Sequence, residues 1–416
     1  MGLSSRTCLP AQLLALIALS VSPLAWCGTQ FKVLHNFGAG KDGSDPSGSL
    51  ILGSKGNLFG VTGGGGTGQC SDYGCGTVFE LIPQSDGRWK EVTLRSFAGG
   101  GGGAAPQGAL VFDHLGNLYG TMAGDNGAAT WGVFELVRSE GWTVSVLYMD
   151  AAGPGLIIDS LDNLYGAMAP GLYRYSAIAE LSRGADGRAY TPLYSFCAKY
   201  GCPDGEDLPA PPIWDGKGNL FGTTYEGGIG QPACWTSFGC GVIFEMTPNG
   251  DGTWTYHVLH RFASHSTDGQ TPDAGLVMDA AGNFYGNTSL GGAYGNGTIF
   301  KFSFVGGRWK KTVLYDFPNY ADGVLPGEMM VFDKQGNLYG ATESGGLVGC
   351  GGYTCGVVFK LTPQKSGRWS YTVLHKFTGA DGGFPWGVIV DSKGNIFGTT
   401  AEFGKYQAGT AFEIMP

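Results

Sequence analysis

The feature that most constrains this chain is a short phrase that occurs seven times: Gly or Asp, then Asn, an apolar pair and Gly. The copies lie at 56–60, 116–120, 162–166, 218–222, 282–286, 336–340 and 394–398, and successive Asn are 60, 46, 56, 64, 54 and 58 residues apart. A recurrence on that scale is one supersecondary unit per copy, with the length variation carried by loops. In six copies an Asp stands four residues before the Asn (Asp113, Asp159, Asp215, Asp279, Asp333, Asp391), and Gly53 is the exception. Asp-x-x-Gly-Asn is hairpin-turn chemistry: the carboxylate accepts backbone N–H groups while Gly and Asn tolerate positive φ.

Each unit contains four strand-like runs. The first is apolar and ends in Asp, as in Leu110-Val111-Phe112-Asp113; the repeated phrase is the second. The third is Gly76-Thr77-Val78-Phe79-Glu80-Leu81 and its counterparts around Phe134, Phe244, Phe300, Phe359 and Phe412, with a degenerate version at Ala177-Ile178-Ala179. The fourth opens on Trp in five units (Trp89, Trp142, Trp254, Trp309, Trp369), with Tyr190 to Phe196 as the counterpart in unit three. The chain stops at a third run, Phe412-Glu413-Ile414, whereas Phe31 to Phe37 is a fourth run with no unit of its own. A spare strand at one end and a missing one at the other predict a closed ring, because an open solenoid would need capping repeats. The expected fold is therefore all-β, a seven-bladed β-propeller over residues 28–416 whose last blade is closed by the N-terminal strand, which removes exposed sheet edges.

The glycine content (76 of 416 residues) and the low charged fraction of 14% suit short strands joined by tight turns. A net charge of −9 provides no basic footprint for nucleic acid. Residues 1–27 read as a signal peptide, with Arg6 before an apolar stretch from Ala11 to Ala25. A lipid anchor on Cys27 is disfavoured because Trp26 stands where a lipobox carries a small residue. No other segment is long and apolar enough for a spanning helix. The eight remaining cysteines form close pairs, Cys70/Cys75, Cys197/Cys202, Cys234/Cys240 and Cys350/Cys355. In an exported chain these are expected disulfides; thiolate metal binding would need two pairs to converge in a reducing compartment. The expected location is secreted, periplasmic or cell-surface, as a monomer.

The ordered recurrence of Gly-Asn-Leu-Tyr-Gly, Gly-Thr-Val-Phe-Glu-Leu, Val-Leu-His-x-Phe and Asp-Gly-x-x-Pro from Phe31 to Pro416 resembles the Gloeobacter–Verrucomicrobia (GloVer) tandem repeat of exported bacterial proteins. The resemblance implies a propeller-like exported protein and no particular activity. Some members of that family carry a C-terminal surface-sorting tail; this sequence ends on a strand, so such anchoring is not expected.

First-to-second and third-to-fourth connections are short, whereas second-to-third and fourth-to-first loops are long and in a propeller share one face. Binding residues concentrate on such loops. The candidates there are Trp131, Tyr225, Trp235, Tyr294, Tyr353 and Tyr406 with Glu226, Glu343 and Glu402, together with Tyr73 and Phe238. Aromatic faces beside acceptor carboxylates suit an extracellular glycan, peptide or protein partner; the competing reading packs each ring on its own glycine-rich loop. The fourth-to-first loops repeat Asp-x-x-x-Pro, and Asp42, Asp268, Asp322 and Asp381 are expected to ring the channel mouth, where they could hold Ca²⁺. The structural alternative, favoured by their recurrence, is turn formation. His35, His260 and His375 share one outer-strand position and should not converge on a metal. No cofactor is expected. No nucleophile, zinc or phosphate-loop motif stands in a supporting context, so the sequence reads as non-catalytic. The alternatives are an extracellular carbohydrate-active hydrolase or lyase using loop carboxylates, which would need two of them about 5–10 Å apart, and a purely structural envelope protein. An Asp-box-like Ser85-Asp86-Gly87-Arg88-Trp89 does not make a sialidase, since Arg88, Arg308 and Arg368 lie in the short turns.

Overall fold

The computed structural model describes residues 29–70, 74–100, 103–123, 132–149, 153, 155–168, 177–184, 187–228, 234, 239–263, 267–327 and 329–415. They form seven antiparallel sheets in chain order, blades 1 to 7, and a small separate hairpin of Val348–Cys350 with Tyr353–Thr354. Blade 7 runs Gly383–Val390, Ile396–Glu402, Thr410–Met415 and then Gln30–Asn36 as its outermost strand. The N-terminal strand pairs antiparallel with the last one, Phe31 opposite Ile414 and Val33 opposite Phe412, which closes the ring as expected.

The repeated phrase builds the interior. Its aromatic residue is buried in every blade, from Tyr119 at 0% exposed to Tyr165 at 6%. Its glycine makes room for the third-strand ring: a Cβ on Gly60 would stand 2.6 Å from Phe79 Cζ, and one on Gly222 2.4 Å from Phe244 Cζ. Blade 3 has Ala179 in place of that ring, and Leu156 and Met168 lie beside Gly166 instead. Seven apolar clusters result, each built from two neighbouring blades, so the core is a ring of interfaces. Each fully buried Phe in it contributes about 1.5–3 kcal/mol through area removed from water.

The turn aspartates do what their spacing predicts. In blades 2 to 7, one carboxylate oxygen accepts the N–H of the residue two positions on and that of Asn four positions on, at 2.7–3.0 Å. The other oxygen accepts from the Asn side chain. Blade 1, with Gly53, has neither bond.

The innermost strands differ from the expectation of one regular run per blade. Blades 3 to 6 keep only two residues, such as Ile157–Ile158 and Val277–Met278, whereas blades 2 and 7 have Ala104–Phe112 and Gly383–Val390. Even the long ones are bulged, between Gln107 and Val111 and between Pro385 and Val388. Proline removes a ladder donor there, and the strand facing the channel has no outer partner to keep it regular.

Candidate functional site

Long loops of both classes lie on one face, as short backbone bridges between them attest: Glu206 pairs with Glu226, Gln270 with Leu290 and Val324 with Ser344. Within each pair the first residue comes from a fourth-to-first loop and the second from a second-to-third loop. The two classes are also stitched across neighbouring blades. The residue before the conserved-register proline has left-handed backbone (Asp45, Ala105, Thr271, Leu325, Phe384; φ +47 to +57°). Its N–H donates to the preceding blade, as in Thr271 to Cys240 O at 3.0 Å and Phe384 to Cys355 O at 2.9 Å. The proline then sits on the glycine that opens the preceding blade's third strand.

This stitching brings variable residues to the propeller axis. A cavity of about 870 Å³ is walled by all seven blades, through Ser47, Gln107, Leu156, Tyr225, Asp273, Glu343 and Trp386 among others. Asp207 and Tyr225 of blade 4, Asp273 of blade 5 and Glu343 of blade 6 make an acidic arc on three consecutive blades, with Asp45 of blade 1 across from it. Asp273 reaches toward blade 6, its Oδ2 3.3 Å from where a Cβ on Gly327 would stand. Burial, then the negative charges of Glu343 and Asp207, push the Asp273 carboxyl up to about 7. Burial, then Glu402, push Asp45 up to about 6. The Tyr225 hydroxyl is also raised, by burial first and then by Asp273, Glu226 and Asp207. Low dielectric and like charge both disfavour the ionised forms. Trp386 lines the same cavity, and its indole N–H is buried without a hydrogen-bond partner among the described residues.

Of the sequence candidates, Tyr225 and Glu343 therefore line the cavity, and Glu402 is exposed and close enough to act on Asp45. Glu226 is buried at 8% exposure and close enough to act on the Tyr225 hydroxyl. Tyr294, Tyr353 and Tyr406 are exposed on the loop face, with the Lys405 ammonium 4.9 Å from the Tyr406 ring centroid. Trp131, Trp235, Tyr73 and Phe238 lie outside the described residues.

The expected ring of aspartates at the channel mouth needs correction. Asp42, Asp268, Asp322 and Asp381 are not among the cavity-lining residues. Three of them are held by outer-strand imidazoles, His35–Asp42 at 2.9 Å, His260–Asp268 at 3.0 Å and His375–Asp381 at 2.9 Å. Asp322 ends a short 3-10 turn, Tyr320–Asp322, and its N–H bonds the Asn319 side chain. The loop meets the outer strand first, so its leading Asp braces that strand and only its later residues reach the axis. Asp45, Asp207, Asp273 and Trp386 are those later residues, at or beside the proline position. Their signal in the sequence was variability inside a repeated loop.

All four cysteine pairs are disulfides, Cys70–Cys75, Cys197–Cys202, Cys234–Cys240 and Cys350–Cys355. Among the described residues, one group combines metal-type donors, Cys197, Cys202 and Glu206, and its two sulfurs are bonded to each other. No helix among the described residues is long and apolar enough to cross a membrane.

Fold and cavity together define a closed seven-bladed β-propeller with a ligand-sized axial hollow. The chain matches the Gloeobacter/Verrucomicrobia repeat over residues 148–351 and 233–416, and it belongs to that family. Among curated proteins none matches it. Solved structures that resemble it include a candidate 6-phosphogluconolactonase of Bacteroides fragilis (12% identity, 84% of this chain and 87% of that one, TM-score 0.46). An α-L-arabinanase of Penicillium chrysogenum complexed with arabinobiose is similar at 13% identity (74% and 91% covered, TM-score 0.42). A puromycin-hydrolyzing peptidase of Mycobacterium tuberculosis is similar at 12% (86% and 50% covered, TM-score 0.49). Likenesses at this level say nothing about activity.

Proposed function

We propose that this protein is an exported, non-catalytic propeller that binds a glycan, peptide or protein segment at its long-loop face, with the axial cavity as the principal pocket. The observation that carries this reading is the 870 Å³ hollow, to which every blade contributes and whose lining includes Tyr225, Glu343 and Trp386, the last with its indole N–H buried and unpartnered among the described residues. An apolar wall with a few convergent polar groups is how a scaffold holds a ligand. Tyr294, Tyr353, Tyr406 and Glu402 would extend the contact over the rim. Export rests on the signal-like residues 1–27, and four disulfides fit an oxidising compartment.

The test is binding of the purified protein to a panel of polysaccharides and peptides, repeated with Trp386→Ala and Tyr225→Ala. Loss of at least tenfold in affinity, about 1.4 kcal/mol, is expected for either variant. Undiminished binding in both would remove the cavity from the account. Release of reducing ends from a polysaccharide, abolished by Asp273→Asn or Glu343→Gln, would instead favour the hydrolase reading.

A further inference from the structure

On the opposite face, between the first-to-second turns of blades 1 and 2, lies a groove of about 400 Å³. Its floor is the turn in which Gly53 stands where the six other blades have Asp. Elsewhere the carboxylate accepts two turn amides, for example Lys217 N at 2.7 Å and Asn219 N at 3.0 Å on Asp215. In blade 1 the corresponding amides belong to Lys55 and Asn57, and neither has a partner among the described residues. Asn57 has turned aside: its amide group donates to Glu80, and its Oδ1 lies 2.5 Å from where a Cβ on Gly53 would stand. One turn in seven thus presents an anion-binding backbone without the anion its sequence relatives supply.

Two cations and several apolar rings surround the groove, together with two carboxylates, Asp113 in its lining and Glu80 against the Asn57 side chain. Arg138 hydrogen-bonds Asn117 through its backbone N–H, as Arg183 does Asn163, so the two arginines are equivalent. Arg183 pairs with Asp162 at 3.0 Å, but the residue matching Asp162 in blade 2 is Gly116, and Arg138 has no ion pair among the described residues. Its guanidinium lies 6.0 Å from the Trp142 ring centroid instead. Lys55, likewise in no ion pair among them, lines the groove with Arg138, Phe59, Phe112 and Trp142. Asp113, also there, is held by its own turn.

We propose that this groove binds a small organic carboxylate, whose carboxylate group takes the position that Asp holds in the other six blades. It accepts from the Lys55 and Asn57 amides, as an oriented pair of backbone N–H groups accepts anions. Lys55 and Arg138 add charge-assisted bonds, and the ligand body rests on Trp142 and the two phenylalanines. Asn57 returns to the rotamer of its counterparts, donating to the bound carboxylate. This site is independent of the axial cavity.

The probe is sodium glucuronate, titrated calorimetrically into the folded protein at constant ionic strength, with glucose as the neutral control. Binding in the low millimolar range, on the order of 4 kcal/mol, is expected for glucuronate and none for glucose. Gly53→Asp supplies the carboxylate from within, at a position whose backbone is outside the left-handed region, with Asn57 Oδ1 and Phe59 Cε2 having to give way to its Cβ (2.5 and 2.8 Å); it should abolish binding. Arg138→Ala, an exposed change, should weaken binding several-fold without moving the melting temperature. Trp386→Ala should leave it unchanged. Equal binding of glucose, undiminished binding by Gly53→Asp, or no heat up to about 50 mM glucuronate would overturn the proposal.

Discussion

Aspartate occurs in this chain under two opposed regimes, and the difference is set by donors. Burial works against ionisation of Asp279 and Asp333, but the Asn side chain, the turn amides and the Tyr hydroxyl outweigh it and hold both below the ordinary carboxylate range. Asp273 is buried against Glu343 and Asp207 instead, and its carboxyl rises to about 7. The signs then differ. A lowered pKa gives stability that is lost as pH falls below about 4; a raised one gives stability that is complete below about 4 and lost as pH rises through about 7. Asp273→Asn is therefore expected to gain stability over the parent progressively between about pH 4 and pH 7 and to hold that gain, on the order of 4 kcal/mol, above pH 7, with no difference below about pH 4. Thermal melts of both proteins from pH 3 to pH 9 would check this, and parallel curves would refute it. At this scale the sequence was half legible. The turn aspartates announced themselves by strict spacing, whereas Asp45, Asp207, Asp273 and Trp386 occupy positions that change from blade to blade, and a search for recurrence passes over them. Asp42, Asp268 and Asp381 recur for the structural reason that recurrence favoured, although what they brace is an outer-strand imidazole.

Among elements, the informative unit is the joint between blades. Gly356 opens the third strand of blade 6 with φ +87°, and a Cβ there would stand 2.4 Å from Thr342 O and 2.5 Å from Pro385 Cδ of blade 7. Gly336 has a similar φ of +81° in a turn, with nothing within 4 Å. Both substitutions to alanine carry the left-handed penalty of about 1 kcal/mol, but Gly356→Ala adds clashes with the second strand of its own blade and with Pro385 of the next. The expected loss is about 1 kcal/mol for Gly336→Ala and at least about 3 kcal/mol for Gly356→Ala, read from denaturant unfolding midpoints. Equal losses would show that the joint yields freely. The two halves of this joint, the third-strand Gly and the loop Pro, were both visible as repeats. Their contact was not, because periodicity reports which residues recur and is silent on which copies touch. The strand count, order and Trp-led outer strands were legible since each follows from alternation and turn chemistry within one repeat; the broken inner strands depend on the channel and were not.

For the whole molecule, the closing strand Gln30–Asn36 is the decisive element. Its Phe31 stacks on His375 of blade 6 at 3.7 Å between centroids and packs on Phe412 of blade 7. Deleting residues 30–36 exposes the edge of Thr410–Met415 and part of the blade 6–7 and 7–1 clusters, so the melting temperature should drop by at least several degrees. An unchanged melt would mean that the ring needs no latch. The same seam has a temporal side. The first strand to emerge from the ribosome must find the last, nearly four hundred residues of synthesis later. Every blade but the seventh can assemble behind the growing tip, while the opening segment waits single and unmatched. Ring closure thus waits on synthesis of Thr410–Met415, and anything that trims or sequesters Gln30–Asn36 during that interval leaves a horseshoe instead of a wheel.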